Sequence, residues 1–368
     1  MSAPRLPFID LTPGEDTAAV REAIHRVLDR GWFILGPEVE AFEREFARES
    51  GARHAVAVGN GTDALALILR ALGIGAGQEV IVPALTAAYT GLAVMMAGAQ
   101  PVFADVLPDT LTIDPRSALP LVNARTAAIL PVHLYGQAVD MTEVGHFADR
   151  HHLAIVEDCC QAHLATSGGK PVGTIGAAGA FSFYPTKNLG ALGDGGAVVT
   201  NDGALADRLR RLRNGGQSDR YHHIEAGVNS RLDEMQAAVL RARLPFLRRW
   251  TDRRRALAAA YRRTLPHTLP VTERDPGHVY HLFPVLAAQR AAVQEKLRAV
   301  GIETLIHYPV PIPRQPALAG ERPDQCPVAD RACAEVFSLP LYPALPIEAI
   351  AQVAEVLSSI AAARDPAS

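Results

Sequence analysis

The chain has 368 residues, 48% of them hydrophobic, and a formal net charge of -3. That length predicts about two domains with ample core, the charge gives no support for nucleic-acid binding, and no apolar run is long enough to span a membrane. MSAPRLPFIDL lacks the basic-then-apolar order of a secretory signal, and the four cysteines, two of them adjacent, have no metal-like partner set. A reducing cytoplasm and no bound metal are the expectations.

In chain order, residues 54–58 (HAVAV) form the first expected strand, Gly59-Asn60-Gly61 a turn, and 63–73 an apolar helix. Strands follow at 79–82, 101–105, 126–132 and 153–157, with a helix over 140–151. This alternation is the signature of a mostly parallel sheet with helices on both faces. Residues 180–184 read as a further strand, with Ser182 facing away from Phe181 and Phe183, and Lys187 follows in a turn behind Pro185 and Thr186. GDGGAVVTND closes the unit with one more strand, and a basic amphipathic helix comes next. Residues 229–263 read as helical, bent or broken at Pro245. Beyond lies a smaller α/β unit, with HVYHLFPVL as a strand, 289–300 as a helix and a proline-rich loop over 309–316. The Arg-rich stretch 248–255 has the spacing of a solvated helix face.

Three features carry chemistry. A glycine turn opening a helix presents free amides and the positive end of the dipole, which suit a phosphate. The run 153–156 is apolar, as in a strand buried on both faces, and it ends in Glu157 and Asp158. A carboxylate there can keep a pyridine nitrogen protonated. A lysine held in a tight turn suits a Schiff base with a carbonyl cofactor. Each has a plain alternative: a strand-to-helix turn, a helix cap, a surface lysine. Together they are the anchors that pyridoxal phosphate requires, in a workable chain order.

GNGTDAL, PVHLYGQ, EDCCQAH, FSFYPTKNLGALGDGG and GVNSRLDEMQAA resemble the DegT/DnrJ/StrS family of nucleotide-sugar aminotransferases, from about residue 31 to about residue 357. The resemblance implies the α/β type I aminotransferase fold. Residues 1–245, including the N-terminal segment, would form the large cofactor-binding domain, and 246–368 the small C-terminal one. It implies pyridoxal 5'-phosphate joined to Lys187, Asp158 at the pyridine nitrogen, Gln161 at the phenolic oxygen, and Gly61, Thr62 and Ser182 at the phosphate. Asn229 would reach the phosphate of a neighbouring subunit, so a homodimer with shared active sites is expected. Two departures stand out. Cys159-Cys160 replaces the family's small residues, a change that packing tolerates. Ala87 stands where the family often stacks an aromatic ring, which leaves Tyr89 as the candidate ring.

For substrate, the resemblance places His307, Tyr308 and Tyr184 near the sugar, and Arg213 and the Tyr221-His222-His223 loop are candidates for a pyrophosphate or nucleotide. The activity it implies is transfer of an amino group from L-glutamate to a keto-deoxy nucleotide sugar, with Lys187 as general base. Tyr184 and its neighbours favour a dTDP-3-keto-6-deoxyhexose. A 4-keto nucleotide sugar or a keto-cyclitol is the alternative acceptor, and a non-catalytic regulator of the same fold is the rival from another class. Relatives that dehydrate carry histidine in place of the lysine, so Lys187 argues against that chemistry.

Overall fold

Short apolar strands followed by Asn- or Asp-capped helices build the first half of the chain. The computed structural model describes residues 6–362 apart from 13 and 320–324, with side chains described through 358. The first five residues of MSAPRLPFIDL therefore lie outside the described residues. In chain order the elements are α1 (Thr17–Arg30), α2 (Pro37–Glu49), β1 (His54–Val58), α3 (Gly61–Ala71), β2 (Glu79–Pro83), α4 (Ala88–Met96), β3 (Gln100–Ala104) and α5 (Pro115–Ala118). Then come β4 (Thr126–Ile129), α6 (Met141–His151), β5 (Ala154–Asp158), the hairpin β6 (Thr166–Ser167) and β7 (Lys170–Pro171), β8 (Ala178–Ser182), β9 (Gly196–Thr200) and α7 (Gly203–Leu212). Asn60, Asp140 and Asp202 accept from backbone amides of the first turns of α3, α6 and α7, the capping expected of these residue types.

The main sheet has seven strands in the order β1-β9-β8-β5-β4-β2-β3. Pairings from β8 through to β3 are parallel, and β9 runs antiparallel to both β1 and β8. The mostly parallel sheet expected from the sequence is present, but its last strand is inserted and reversed. The chain between β8 and β9 is spent on the Lys187 turn, which leaves no crossover helix to make the next strand parallel. The strand expected over 126–132 ends at Ile129, although Leu130 N still donates to Ile81 O at 2.8 Å. The strand expected over 180–184 is shifted back, so that Ser182 is its last residue.

The second half contains the hairpin β10 (Gln217–Asp219) and β11 (His222–His223), then α8 (Glu234–Arg243), a 3-10 turn at Leu244–Phe246, and α9 (Leu247–Thr264). Pro245 thus interrupts the long helix, as a residue without an N–H should. The smaller unit pairs β12 (Phe283–Leu286) antiparallel with β13 (Val336–Leu339), flanked by α10 (Arg290–Ala299), α11 (Pro327–Glu335) and α12 (Ala349–Ala362). Its own core holds Tyr261, Phe283, Phe337 and Leu339. The N-terminal segment touches both units: Phe8 packs against the core of the main sheet, and its neighbours lie on the smaller core. Leu6 N donates to Gly301 O at 2.8 Å, Glu303 N donates to Leu6 O at 3.0 Å, and Leu6 and Ile9 lie against the apolar cluster.

One long-range cap fixes the start of α2. Its N-cap is Gly36, which has no side chain to offer, and Glu234 of α8 supplies the acceptors instead. The buried Glu234 carboxylate accepts from Gly36 N at 2.9 Å and Val39 N at 2.8 Å through Oε1, and from Glu38 N at 2.8 Å through Oε2. A Cβ at Gly36 would lie 2.9 Å from Glu234 Oε2, so only glycine permits this approach. Glu234→Gln turns an amide toward backbone N–H groups and should cost about 2 kcal/mol of unfolding free energy, read from the urea midpoint.

Candidate active site

A cavity of about 770 Å³ opens at the carboxyl ends of the parallel strands, where open α/β sheets bind ligands. The N-terminus of α3 forms one wall. Asn60 Oδ1 takes the amide of Asp63 at 2.8 Å and Asn60 O takes that of Ala64 at 3.1 Å. The amides of Gly61 and Thr62 are the ones left to face an anion. Ser230 Oγ ties this turn down, accepting from Gly59 N at 3.0 Å and donating to Asp63 Oδ2 at 2.6 Å. A Cβ at Gly61 would lie 2.7 Å from Cys160 Sγ and 2.9 Å from the Cβ of Ser182, so glycine brings the helix start against the ends of β5 and β8. The phosphate group of a cofactor fits this cradle of two amides and the Ser182 hydroxyl.

β5 ends in two carboxylates that strand alternation sends to opposite faces. Glu157 points inward. Its Oε2 accepts from His133 Nε2 at 3.1 Å and Gly173 N at 2.7 Å, and its Oε1 from Ile175 N at 2.9 Å and Gly176 N at 2.7 Å. Burial alone would raise its pKa, but His133 and the backbone donors outweigh that and hold it below the usual carboxylate value. Ligand atoms of His133, Glu157 and Cys159 lie within 4.8 Å of one another. Two of the three are taken: His133 Nδ1 accepts from Val139 N, so Nε2 carries the proton that meets Glu157. Asp158 points into the cavity, with Oδ2 accepting from Thr90 Oγ1 at 2.9 Å and Oδ1 from Cys160 N at 3.0 Å.

Lys187 sits in the turn after β8, where its amide donates to Tyr184 O at 2.8 Å, and its side chain lines the cavity with Asp158 and Cys160. Burial lowers its pKa from the lysine value of 10.5, against the opposing pull of Cys160 and Asp158. Burial also raises both adjacent thiols well above 9.0, so Cys159 and Cys160 are neutral packing groups near neutral pH. Gln161 is fixed from behind: its Oε1 accepts from Tyr135 N at 2.7 Å and its Nε2 donates to Tyr308 OH at 2.9 Å. Tyr135 takes a left-handed φ of 60° to do this, and its hydroxyl donates to His307 O at 2.5 Å. One amide proton of Gln161 remains for a ligand.

The structure thus brings Gly61, Thr62, Asp158, Gln161, Ser182, Tyr184, Lys187, Tyr308 and Tyr89 to one cavity. Tyr89 and Tyr184 are 66% and 52% exposed at its mouth. His307 does not line it: its Nδ1 bonds Ser338 Oγ at 3.0 Å and its ring lies 5.6 Å from that of Phe8. Arg213 is a correction. It is 7% exposed, ion-paired with Glu43 of α2, and its Nη1 donates to Ala57 O at 2.6 Å, so its guanidinium is spent on the interior and cannot meet a nucleotide. Asn229 is exposed and is not among the residues lining this chain's own cavity. The Arg-rich stretch is only partly a solvated face, because Arg254 is buried and donates to Tyr280 O, His281 O and Leu341 O. Thr86 and Thr90, which the sequence reading passed over, line the cavity. Their signal was two hydroxyls four residues apart at a strand end.

A second cavity, about 740 Å³, lies across the Lys187 turn between the N-terminal segment and α9. Two of its arginines are ion-paired, Arg243 with Asp16 and Arg249 with Glu15, and it holds neither Asp158 nor the amides of α3. The chemistry belongs to the first.

A half-buried lysine, a strand-end carboxylate and a helix-start anion cradle around one cavity define an aminotransferase site of the type I fold. The chain belongs to the DegT/DnrJ/EryC1/StrS aminotransferase family, whose profile matches residues 15–358. It is 51% identical over 350 residues to the dTDP-3-amino-3,4,6-trideoxy-alpha-D-glucose transaminase of Streptomyces venezuelae, covering 93% of this chain and 92% of that protein. It is 44% identical to the dTDP-3-amino-3,6-dideoxy-alpha-D-galactopyranose transaminase of Aneurinibacillus thermoaerophilus, covering 96% of this chain and 99% of that one. Among solved structures it is similar to S. venezuelae DesV in complex with ketimine intermediate, with a TM-score of 0.94, 49% identity, and coverage of 97% of this chain and 99% of that chain. No helix among the described residues is long and apolar enough to cross a membrane.

The buried histidines make the fold sensitive to acid. Burial, with the charge of Lys187, lowers His163 to about 3, and burial with Arg262 and Arg255 lowers His278 to about 3. Between pH 6.5 and 3 the unfolded chain takes up these protons and the folded chain does not, so stability falls as pH drops through that window. The lowered pKa of Glu157 acts in the same direction at its acid end. Urea midpoints should therefore decline steadily from pH 7 to pH 5, and a flat profile would contradict this account.

Proposed function

We propose that this chain transfers the amino group of L-glutamate to the keto group at carbon three of a dTDP-linked 3-keto-6-deoxyhexose, using pyridoxal phosphate held on Lys187. The observation that carries the reading is the convergence of Lys187, Asp158 and the α3 amides on one cavity. The amino position follows the two transaminases above, both named for 3-amino dTDP sugars. The protein acts as a homodimer in the cytoplasm, with Asn229 of each subunit completing the partner's phosphate site. We propose a division near residue 245, with the N-terminal segment touching both units.

Each residue has a separable task. The amides of Gly61 and Thr62 and the hydroxyl of Ser182 bind the phosphate, and their charge-assisted hydrogen bonds need no moving part. Asp158 holds a proton on the ring nitrogen, and the spare amide proton of Gln161 orients the phenolic oxygen. When bound, pyridoxal phosphate supplies an electron sink for the carbon that loses its proton. Lys187, its amine favoured in the uncharged form by burial, takes that proton from the donor and returns it on the other side of the exchange. Tyr184, exposed at the mouth, is placed to donate to the sugar.

In the test, the yellow protein is mixed with L-glutamate and then given 3-keto and 4-keto isomers separately, and the new amine is located by NMR. Bleaching with glutamate and amination at carbon three are expected. Amination confined to carbon four, or activity only on free cyclitols, would overturn the acceptor. No bleaching in a protein that binds cofactor would favour a regulator. Lys187→Ala should keep its phosphate and ring contacts but lose turnover by several orders of magnitude.

A further inference from the structure

Asp158 does not meet the cavity unaided. Thr90 is 1% exposed in the first turn of α4, and its hydroxyl donates to Asp158 Oδ2 at 2.9 Å. A helical threonine ordinarily turns its hydroxyl back to a carbonyl of its own helix. Here it reaches instead across to the end of β5, 68 residues on. Thr86 is 2% exposed, and its Oγ1 lies 3.2 Å from that of Thr90. The direction of this second bond follows from the first. A carboxylate only accepts, so Thr90 spends its single proton on Asp158, and the proton between the hydroxyls belongs to Thr86. The two hydroxyl dipoles then align toward the carboxylate and strengthen one another in a dry setting. On the other oxygen, Cys160 N donates to Oδ1 at 3.0 Å. Each oxygen thus has one protein donor, and the direction left open is the cavity.

We propose that Thr90, backed by Thr86, is a positioning residue that holds the Asp158 carboxylate turned toward the cofactor's ring nitrogen and so sets how fully that nitrogen is protonated. This rests on the cofactor reading above. It adds that the electron sink depends on two hydroxyls that need not touch the cofactor. β-Branching restricts the rotamers of both side chains, so little freedom is lost in holding the relay. In the absence of Thr90, one oxygen of a buried carboxylate loses its donor and the group is free to rotate away from the cavity.

The experiment reads the ring nitrogen directly. Holoenzyme is prepared with cofactor carrying nitrogen-15 in the ring, and its chemical shift is recorded at one pH for wild type, Thr90→Val, Thr90→Ser and Thr86→Val. Cofactor affinity is measured by titrating each apoprotein, and folding is checked by circular dichroism. Thr90→Val should move the shift toward the unprotonated value and weaken cofactor binding about tenfold. Thr90→Ser keeps the hydroxyl and should restore the wild-type shift, and Thr86→Val should move it part of the way. A wild-type shift in Thr90→Val, or a Thr90→Ser shift equal to that of the valine variant, would overturn the proposal. Should Thr90→Val fail to fold, Thr86→Val decides, since an unmoved resonance there removes the relay. A wild-type protein with no bound resonance would instead defeat the cofactor reading, taking this proposal with it.

Discussion

Two adjacent carboxylates at the end of β5 face opposite ways, and much of the site depends on how each is held. Taking Glu157 out of water costs several kcal/mol, and the fold offsets that with four donors from His133 and the 173–176 loop. The loop can offer its amides only because it comes very close. A Cβ at Gly176 would lie 2.6 Å from Ile155 O, and Gly173, at a φ of +87°, would place one 3.0 Å from Phe181. That loop leads straight into β8, so the bonds that satisfy Glu157 also set where Ser182 and Lys187 emerge. With Glu157 anchored on one face, the period of the strand leaves Asp158 no choice but the other.

The parts of this arrangement that were legible in the sequence are those whose cause is local. A glycine turn before an apolar helix, an apolar run ending in two acids, and a lysine wedged behind Pro185 and Thr186 each follow from neighbours within a few residues. The parts that were not legible have partners far along the chain. Arg213 belongs to a stretch that reads as the basic face of a helix, and nothing nearby announces that Glu43 from α2 closes over it. Arg254 sits among exposed arginines, but carbonyls at 280, 281 and 341 converge on it and bury it. The reversed β9 depends on what the preceding loop is used for, which the alternating pattern of the strand itself does not encode. Thr90 carried no signal of its own in the sequence, because its acceptor lies 68 residues on, at the end of β5.

The adjacent cysteines show how a departure from the family pattern is absorbed. Cys159 is buried in the core beside Phe181, and Cys160 faces the cavity with its sulfur where a side chain on Gly61 would have to go. The sulfur and the glycine therefore constrain one another: the bulk of Cys160 is acceptable because Gly61 has none. Since burial keeps both thiols protonated, they add volume beside the start of α3 without adding charge.

Lys187 and Asp158 share one cavity but meet different partners in it. For Lys187, desolvation outweighs the pull of Cys160 and Asp158, and its pKa is lowered from the lysine value. Asp158 lies in the same cavity but is met by a hydroxyl and an amide, both bonds that a charged carboxylate accepts best. The hydrogen-bond donors at this end of the cavity are placed on Asp158. His163 and His281 are both buried near Lys187, and burial lowers both below the ordinary histidine value. The division of roles between the two residues thus rests on where the fold puts its hydrogen-bond donors, more than on the residue types themselves.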